Sequence, residues 1–101
     1  MRHELKTWPQ FFDAVVDGRK TFEARLNDRD FAVGDSLSLL EWDPSTKEFT
    51  GRAHECEVTY MLRGPAFGVA DGHVIMALRS KHGGGRRALP ASHQGKRRAP
   101  W

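Results

Sequence analysis

The fold is decided by residues 7–25, which read TWPQFFDAVVDGRKTFEAR. In the first half of this stretch, apolar side chains recur at i, i+3, i+4, i+7 and i+8, the spacing of a helix with one buried face. These residues are Trp8, Phe11, Phe12, Val15 and Val16. Thr7 and Gln10 have the spacing of a capping box, Pro9 suits the first turn, and Gly18 suits the C-terminal end. The pattern predicts a helix that ends before Gly18 and buries its three aromatic residues in the core.

A strand is predicted to follow the helix, over residues 21–25. Its side chains alternate, which places Phe22 and Ala24 on the face that meets the core and the polar residues on the other face. Three more β-prone segments are separated by turn residues, namely Ser36–Trp42, Arg52–Leu62 and His73–Leu78. In the second of these segments, one face is predicted to be buried, that of Cys56, Val58 and Tyr60. One helix and four or five strands predict an α+β fold that is mostly β, a small and mostly antiparallel barrel with the helix over one end.

The polar face of the strand over residues 21–25 carries the strongest candidate site. Thr21, Glu23 and Arg25 lie on it and Lys20 stands at its entry, so two cations flank one carboxylate. In such a group Arg25 can pair bidentately with a phosphate, Lys20 adds a point charge, and Glu23 accepts a hydrogen bond from a base amino group. The alternative is a solvent-exposed strand face with an incidental ion pair of little energetic value.

The chain has 101 residues, enough for one domain. No stretch approaches the roughly 18 apolar residues of a membrane span, and the opening Met1-Arg2-His3-Glu4 is too charged for a signal peptide. The single cysteine excludes an internal disulfide and a cysteine-based zinc site. We therefore expect a cytoplasmic monomer with no membrane partner, and the sequence indicates no metal and no cofactor.

Charge divides the chain near residue 80. Residues 1–79 carry ten basic and thirteen acidic side chains, a net −3, whereas residues 80–101 carry six basic side chains and no acidic one. We predict a domain over residues 1–80 and a basic, disordered tail over residues 81–101, which is rich in Gly, Pro, Ser and Arg and has no hydrophobic period. The tail offers non-specific phosphate contacts at Arg86, Arg87, Lys96, Arg97 and Arg98. The alternative is that it only keeps the domain in solution.

Two motifs beside the predicted helix resemble those of ASCH domains, which belong to the PUA-like superfamily of small β-barrels. They are GRKTFEAR at residues 18–25 and VGDSL at residues 33–37. HELK at residues 3–6 and NDRDF at residues 27–31 resemble a small uncharacterised bacterial and phage subfamily of these domains. The resemblance covers about residues 3–79. It implies a pseudo-barrel with a cleft beside the helix that accepts RNA, a nucleotide or a modified base.

The resemblance leaves three functions open. The leading one is a binding domain for RNA or a nucleotide, with a cleft lined by Lys20, Glu23 and Arg25. The second is a small hydrolase of RNA or of an acylated nucleoside, since a related bacterial amidohydrolase of N-acetylcytidine uses a lysine that matches Lys20. Its catalytic threonine falls at Glu23 here, which leaves Lys20 and Glu23 as the acid–base pair. Its glutamate has only unmatched candidates, Glu41, Glu55 and Glu57. The third is a protein-interaction module.

Five other residues are candidates for a role in a site or in the core. His3 is expected near the cleft, because the opening segment of the subfamily runs beside the helix, or else at the surface. Trp42 either stacks a nucleic-acid base or closes one end of the barrel. Cys56 is predicted to be a buried structural thiol and not a nucleophile. His3, His54 and His73 are too scattered along the chain to predict a metal site.

Overall fold

The computed structural model describes residues 1–81 as one helix and five strands. In chain order they are β1 (Arg2–Thr7), α1 (Pro9–Val16), β2 (Phe22–Leu26), β3 (Ser36–Asp43), β4 (Glu48–Arg63) and β5 (His73–Ser80). The strands form one sheet in the order β1-β3-β4-β5-β2, in which β1 and β3 are parallel and the other pairs are antiparallel. This curled half-barrel confirms the predicted α+β, mostly β fold with one helix near the N-terminus.

The sheet curls until its two edge strands, β1 and β2, face each other across a gap. Two arginine side chains bridge that gap. Arg25 Nη2 donates to the carbonyl oxygen of Lys6 at 2.7 Å, and Arg29 Nη1 donates to the carbonyl oxygen of Glu4 at 2.8 Å. These bonds satisfy carbonyl groups on the free edge of β1, which would otherwise be available to a further strand. Side chains, and not backbone pairing, therefore close the half-barrel.

The core lies inside the curl, under helix α1. Its buried apolar residues come from the helix, from the four strands β1, β3, β4 and β5, and from the loop before β3. They are Leu5, Phe12, Val15, Phe31, Leu37, Leu39, Cys56, Val58, Val74 and Met76. None of these ten residues belongs to β2. The buried residue of β2 is the charged Glu23, so the inner face of this strand serves something other than apolar packing.

The side chains of β2 are oriented opposite to the prediction. Glu23 is 5% exposed, whereas Phe22 and Ala24 are on the exposed face. A short alternating sequence fits an edge strand in either orientation. The observed orientation is possible because Lys20 and Arg25 pair with the carboxylate, which would otherwise be costly to bury. The polar face predicted from the sequence is therefore the inner face.

Two other details of the prediction are wrong. A register shift between Val58 and Tyr60 in the β4–β5 pairing turns Tyr60 outward, where it is 67% exposed, while Val58 stays buried. Thr7 does not cap the helix, because it ends β1 and its hydroxyl donates within that strand at 3.4 Å. The helix begins at Pro9, and Trp8 is an N-cap that makes no side-chain capping bond.

No helix among residues 1–81 is long and apolar enough to cross a membrane. Of the predicted tail, only Lys81 falls among the described residues. The five phosphate-contact candidates Arg86, Arg87, Lys96, Arg97 and Arg98 lie outside them, and their role stays a prediction.

Candidate functional site

A cavity of about 410 Å³ opens between the edge strands β1 and β2, beside helix α1. Its walls are residues 6–8 at the end of β1, Phe11 of α1, Lys20, and residues 22–25 of β2. The volume is typical of pockets for small ligands, which range over about 300–1,000 Å³. The cavity is built almost entirely by the stretch that decides the fold, because β1 leads directly into the helix and the helix into β2.

Glu23 is the buried carboxylate of this cavity. Its Oε1 accepts a hydrogen bond from Lys20 Nζ at 3.2 Å, and its Oε2 accepts one from Arg25 Nε at 2.6 Å. Lys20 Nζ also donates to the Phe22 carbonyl oxygen at 2.7 Å and lies 4.7 Å from the centre of the Phe22 ring. The structure thus brings Lys20, Glu23 and Arg25 into one cluster on the cavity wall.

Arg25 is already engaged through two of its three nitrogens. Nε donates to Glu23 and Nη2 donates to the Lys6 carbonyl oxygen across the gap. Among residues 1–81, only Nη1 of this guanidinium has no hydrogen-bond partner. A bidentate contact to phosphate would have to combine Nη1 with the second N–H of Nη2, because the other Nη2 N–H and the Nε N–H already have acceptors. Arg25 is therefore arranged to hold Glu23 and the two edge strands, with one nitrogen left for a ligand.

Lys6 supplies a third cation to the cavity, which no pattern in the sequence predicted. Its side chain is exposed, and no carboxylate of the described residues lies within ion-pair distance of it. The ammonium lies 4.3 Å from the centre of the Trp42 ring. Lys6, Lys20 and Arg25 against Glu23 give the cavity wall a formal charge of +2. This excess of positive charge favours an anionic ligand.

Aromatic side chains form much of the remaining wall. Trp8 and Phe11 stack with ring centres 6.2 Å apart and an angle of 24° between the planes. Trp8 is 46% exposed and Phe22 is 44% exposed, so both rings are accessible to a ligand. Trp8 and Phe11 were predicted to lie in the core, but of the three helix aromatics only Phe12 does. One signal was present in the sequence, since Trp8 precedes Pro9 and so stands before the first helical residue.

Two predicted ligand-binding residues do not line the cavity. Thr21 is exposed just before β2, and its carbonyl oxygen accepts a hydrogen bond from the Leu78 amide at 2.9 Å. Trp42 is half-buried on β3, where the ammonium of Lys6 covers its ring. Trp42 therefore adjoins the cavity through Lys6 but is not part of its wall.

His3 does not line the cavity either. It is buried near the opposite end of β1, where its Nε2–H donates to Asp35 Oδ2 at 2.8 Å and its ring meets Phe31 edge-on with centres 4.7 Å apart. Burial acts to raise the pKa of Asp35, but hydrogen bonds from His3, the Ala32 amide and the Met1 ammonium outweigh it. The pKa of Asp35 is consequently held below its usual value, and this group stabilises the fold.

The three glutamates considered as acids for a hydrolase also lie off the cavity wall. Glu41 is buried and accepts hydrogen bonds from Thr50 Oγ1 at 2.6 Å and from Arg52 Nε at 2.9 Å. Glu55 and Glu57 each form an ion pair with an exposed arginine, at 3.2 and 2.7 Å. Glu23 is thus the carboxylate of the described residues that faces the cavity.

Cys56 is completely buried in the core, as predicted. Burial, together with the nearby carboxylates of Glu23 and Glu55, raises the pKa of its thiol to about 12. A thiol with such a pKa is protonated at neutral pH and is not a nucleophile. Within residues 1–81, no three His, Cys, Asp or Glu side chains are grouped so as to hold a metal ion.

Comparison with known proteins gives two matches. A family model described as a domain of unknown function (DUF3850) matches residues 2–78. An uncharacterized 12.9 kDa protein in the GpA 3′ region of Escherichia phage P2 is 42% identical over 57 residues, which are 56% of this chain and 50% of that protein. The chain therefore spans about half the length of the curated relative that it matches. A phage relative is consistent with the small bacterial and phage family expected from the sequence.

Proposed function

This chain belongs to the family of domains of unknown function called DUF3850, and we propose that it is a binding domain for a nucleotide, free or within RNA. The observation that carries the proposal is the buried carboxylate of Glu23, held between Lys20 and Arg25 on the wall of a cavity with aromatic sides. A nucleotide combines the three properties that such a cavity selects for, which are a flat ring, polar edge groups and negative charge.

The aromatic part of the wall supports binding of a base. Trp8, Phe11 and Phe22 offer ring surface inside the cavity, and each base stacked on an aromatic side chain contributes about 1–3 kcal/mol. Stacking alone does not distinguish one base from another. The carboxylate of Glu23 adds an acceptor for an exocyclic amino group, provided that the base displaces Lys20 or Arg25 from one of its oxygens.

The cations support binding of a phosphate. Lys6 has no carboxylate partner among residues 1–81, and Arg25 keeps Nη1 available, so these two groups can take a phosphate without breaking an ion pair. Lys20 adds a third positive charge nearby. Hydrogen bonds between charged partners are about twice as strong as neutral ones. A nucleotide should therefore bind better than the corresponding nucleoside.

The resemblance to ASCH domains of the PUA-like superfamily agrees with this proposal at the level of sequence. The motif GRKTFEAR contributes Lys20 and residues 22–25 to the cavity wall, whereas VGDSL lies near the opposite end of β1. In domains of that type the cleft beside the helix accepts RNA, a nucleotide or a modified base. We propose the same relation for this family, with the cavity between β1 and β2 as the cleft.

Calorimetric titration of the full chain with the four ribonucleoside 5′-monophosphates tests the proposal. We expect at least one of them to bind, and the tryptophan emission to change because Trp8 lines the cavity. The substitution Lys20→Met should weaken binding about tenfold, or roughly 1.4 kcal/mol, because it lowers the formal charge of the cavity wall from +2 to +1.

Lys81→Met is the matched control for that variant. It also removes one positive charge, but at the start of β1, the end away from the cavity, where Lys81 Nζ donates to Ser36 Oγ. We expect this variant to bind the nucleotide with wild-type affinity. Equal weakening by both substitutions would show that the charge of the chain and not the cavity attracts the nucleotide, and it would refute the proposal.

A hydrolase is the second candidate, and one observation favours it. Lys20 Nζ lies 3.2 Å from Glu23 Oε1 inside the cavity, and both side chains are largely buried. Such a pair can exchange a proton during hydrolysis of an acylated nucleoside. Chromatography of N-acetylcytidine incubated with the full chain tests this activity. Release of cytidine that stops in Glu23→Gln would support it, and the absence of cytidine with the wild-type chain would reject it.

A further inference from the structure

The outer face of the sheet carries an aromatic pair beside the cavity. Trp42 of β3 and Phe49 of β4 are directly opposite each other in the strand register, so their side chains project on the same face. Phe49 is 54% exposed and Trp42 is half-buried. We call these two residues the Trp42–Phe49 pair. It lies outside the cavity wall, and the cavity does not need it for its own shape.

Lys6 connects the pair to the cavity. The same side chain lines the cavity and places its ammonium 4.3 Å from the centre of the Trp42 ring. Its register partner on β3 is Leu40, and Trp42 follows two residues later on the same strand. Residues two apart on a strand project on the same face, so Lys6 and Trp42 both lie on the outer face of the sheet. The two aromatic surfaces, one inside the cavity and one outside it, are therefore separated by a single cation with no carboxylate partner among residues 1–81.

We infer that the cavity and the Trp42–Phe49 pair form one binding surface for single-stranded nucleic acid of at least two nucleotides. One base occupies the cavity, the adjoining base stacks on the Trp42–Phe49 pair, and Lys6 binds the phosphate that links them. This inference rests on the proposed function, because the first base must enter the cavity. It goes further by fixing the length of the ligand and by giving Trp42, Phe49 and Lys6 separate roles.

The geometry suits this ligand because a strand of nucleic acid alternates flat bases with anionic phosphates. The surface alternates in the same order, with an aromatic wall, a lysine and an aromatic pair. In the free protein the Lys6 ammonium covers the Trp42 ring. When the ammonium moves to the phosphate, the Trp42 ring is uncovered for the second base. The cation–π attraction between Lys6 and Trp42 is then replaced by an ion pair with the phosphate and by base stacking on the ring.

Comparing a mononucleotide with the matching dinucleoside monophosphate tests the inference. CpC carries one negative phosphate charge and CMP carries up to two, so any gain in affinity for CpC has to come from its second nucleoside. The titrations use the full chain and all four bases, each as monophosphate and as dinucleoside monophosphate. We expect the dinucleoside form of the preferred base to bind about tenfold more tightly, the gain typical of one stacked base.

Phe49→Ser should abolish that gain and leave the affinity for the monophosphate unchanged. Phe67→Ser is the matched control. Phe67 is 92% exposed and lies in the turn that follows the end of β4, whereas Phe49 lies at the start of that strand. Phe67→Ser should change neither affinity. Both residues are exposed, and thermal unfolding of each variant verifies that it is folded.

The possible failures are distinguishable. If a monophosphate binds but its dinucleoside form binds no better, or if Phe49→Ser changes nothing, the further inference is overturned and the proposed function stands. If Phe67→Ser loses as much as Phe49→Ser, the contact is non-specific and the inference is again overturned. If no monophosphate binds at all, the proposed function fails, and the two-nucleotide surface fails with it.

Discussion

Two buried glutamates, Glu23 and Glu41, are both paired with an arginine but lie in regions of opposite charge. The Glu23 cluster, which consists of Lys20, Glu23 and Arg25, has two cations for one acid and lines an open cavity. The Glu41 cluster consists of Asp13, Glu41 and Arg52, and it has two acids for one cation. Their exposures of 5% and 6% are nearly the same, so burial does not distinguish them.

The difference shows what each cluster does. Arg52 links Asp13 of the helix to Glu41 of β3 and covers the ring of Phe12, so the Glu41 cluster fastens α1 to the sheet. The Glu23 cluster instead holds its excess cations beside a space that is large enough for a ligand. A buried ion pair is therefore a structural feature by default. It becomes a candidate site when unbalanced charge and an accessible cavity occur together.

The largest effect is expected from breaking the Glu41 cluster. Arg52→Met leaves the buried carboxylate of Glu41 with Thr50 as its one remaining hydrogen-bond donor among residues 1–81. Because Arg52 is itself partly exposed, we expect the free energy of unfolding to fall by about 2 kcal/mol, less than for a fully buried pair. Urea denaturation measures this. Nucleotide affinity below the unfolding transition should stay unchanged, and a loss of affinity would remove the distinction between the two clusters.

Arg79→Met is a control for that measurement. Its ion pair with Glu57 is at the surface, with the arginine 65% exposed. Exposed ion pairs of this kind contribute little to stability, so this variant should unfold at nearly the same urea concentration as the wild type. If Arg79→Met destabilised the protein as much as Arg52→Met, the loss in free energy of unfolding would not depend on burial of the carboxylate.

A smaller effect is expected from neutralising Glu23. Glu23→Gln keeps an acceptor oxygen for Lys20 or Arg25 but raises the formal charge of the cavity wall from +2 to +3. Affinity for inorganic phosphate should increase several-fold, and the differences in affinity among the four mononucleotides should shrink because the anionic acceptor is lost. Titration calorimetry measures both quantities. Glu41→Gln, the matched substitution in the other cluster, should leave both unchanged, and weaker phosphate binding by Glu23→Gln would contradict the account.

The smallest effect concerns Asp35, a buried carboxylate that belongs to neither cluster. Its pKa is lowered in the folded state, so it stabilises the fold above its unfolded pKa of about 3.9 and this stabilisation is lost as pH falls through the lower folded value. The difference in Tm between wild type and Asp35→Asn should thus be constant near neutral pH and disappear in acid. Thermal unfolding between pH 7 and pH 2 measures it. A difference that grows in acid would contradict the assigned direction.

The elements of the fold followed from the sequence where the apolar period was long. Four elements were predicted to within a few residues, namely α1 from its apolar stripe, β4 from its alternation, and β3 and β5 as β-prone segments between turns. β1 was not predicted as a strand, because RHELKT contains a single strongly apolar residue among charged ones. It forms because β3 provides a parallel partner along its whole length, which is a tertiary contact that no local pattern records.

The candidate site was predictable only in part, because some of its residues are brought together by tertiary contacts that leave no local pattern in the sequence. The nearness of Glu23 and Arg25 follows from their spacing on one strand, and Lys20 stands at the entry of that strand. Lys6 and Trp8 join them only because the sheet curls and brings β1 opposite β2, so their place in the wall depends on tertiary structure. The orientation of β2 depends on ion pairs that stabilise a buried acid, and apolar alternation predicts the opposite orientation.

The most direct test of the central claim is a titration of the isotope-labelled full chain, followed by amide NMR, with the mononucleotide that binds most tightly. If the cavity between β1 and β2 holds the nucleotide, the largest shifts will fall on the residues of its wall, which are 6–8, Phe11, Lys20 and 22–25. The amides around the Glu41 cluster will move little. Shifts confined to residues 82–101, or shifts spread evenly over the exposed lysines and arginines, would contradict the claim that this cavity is the binding site.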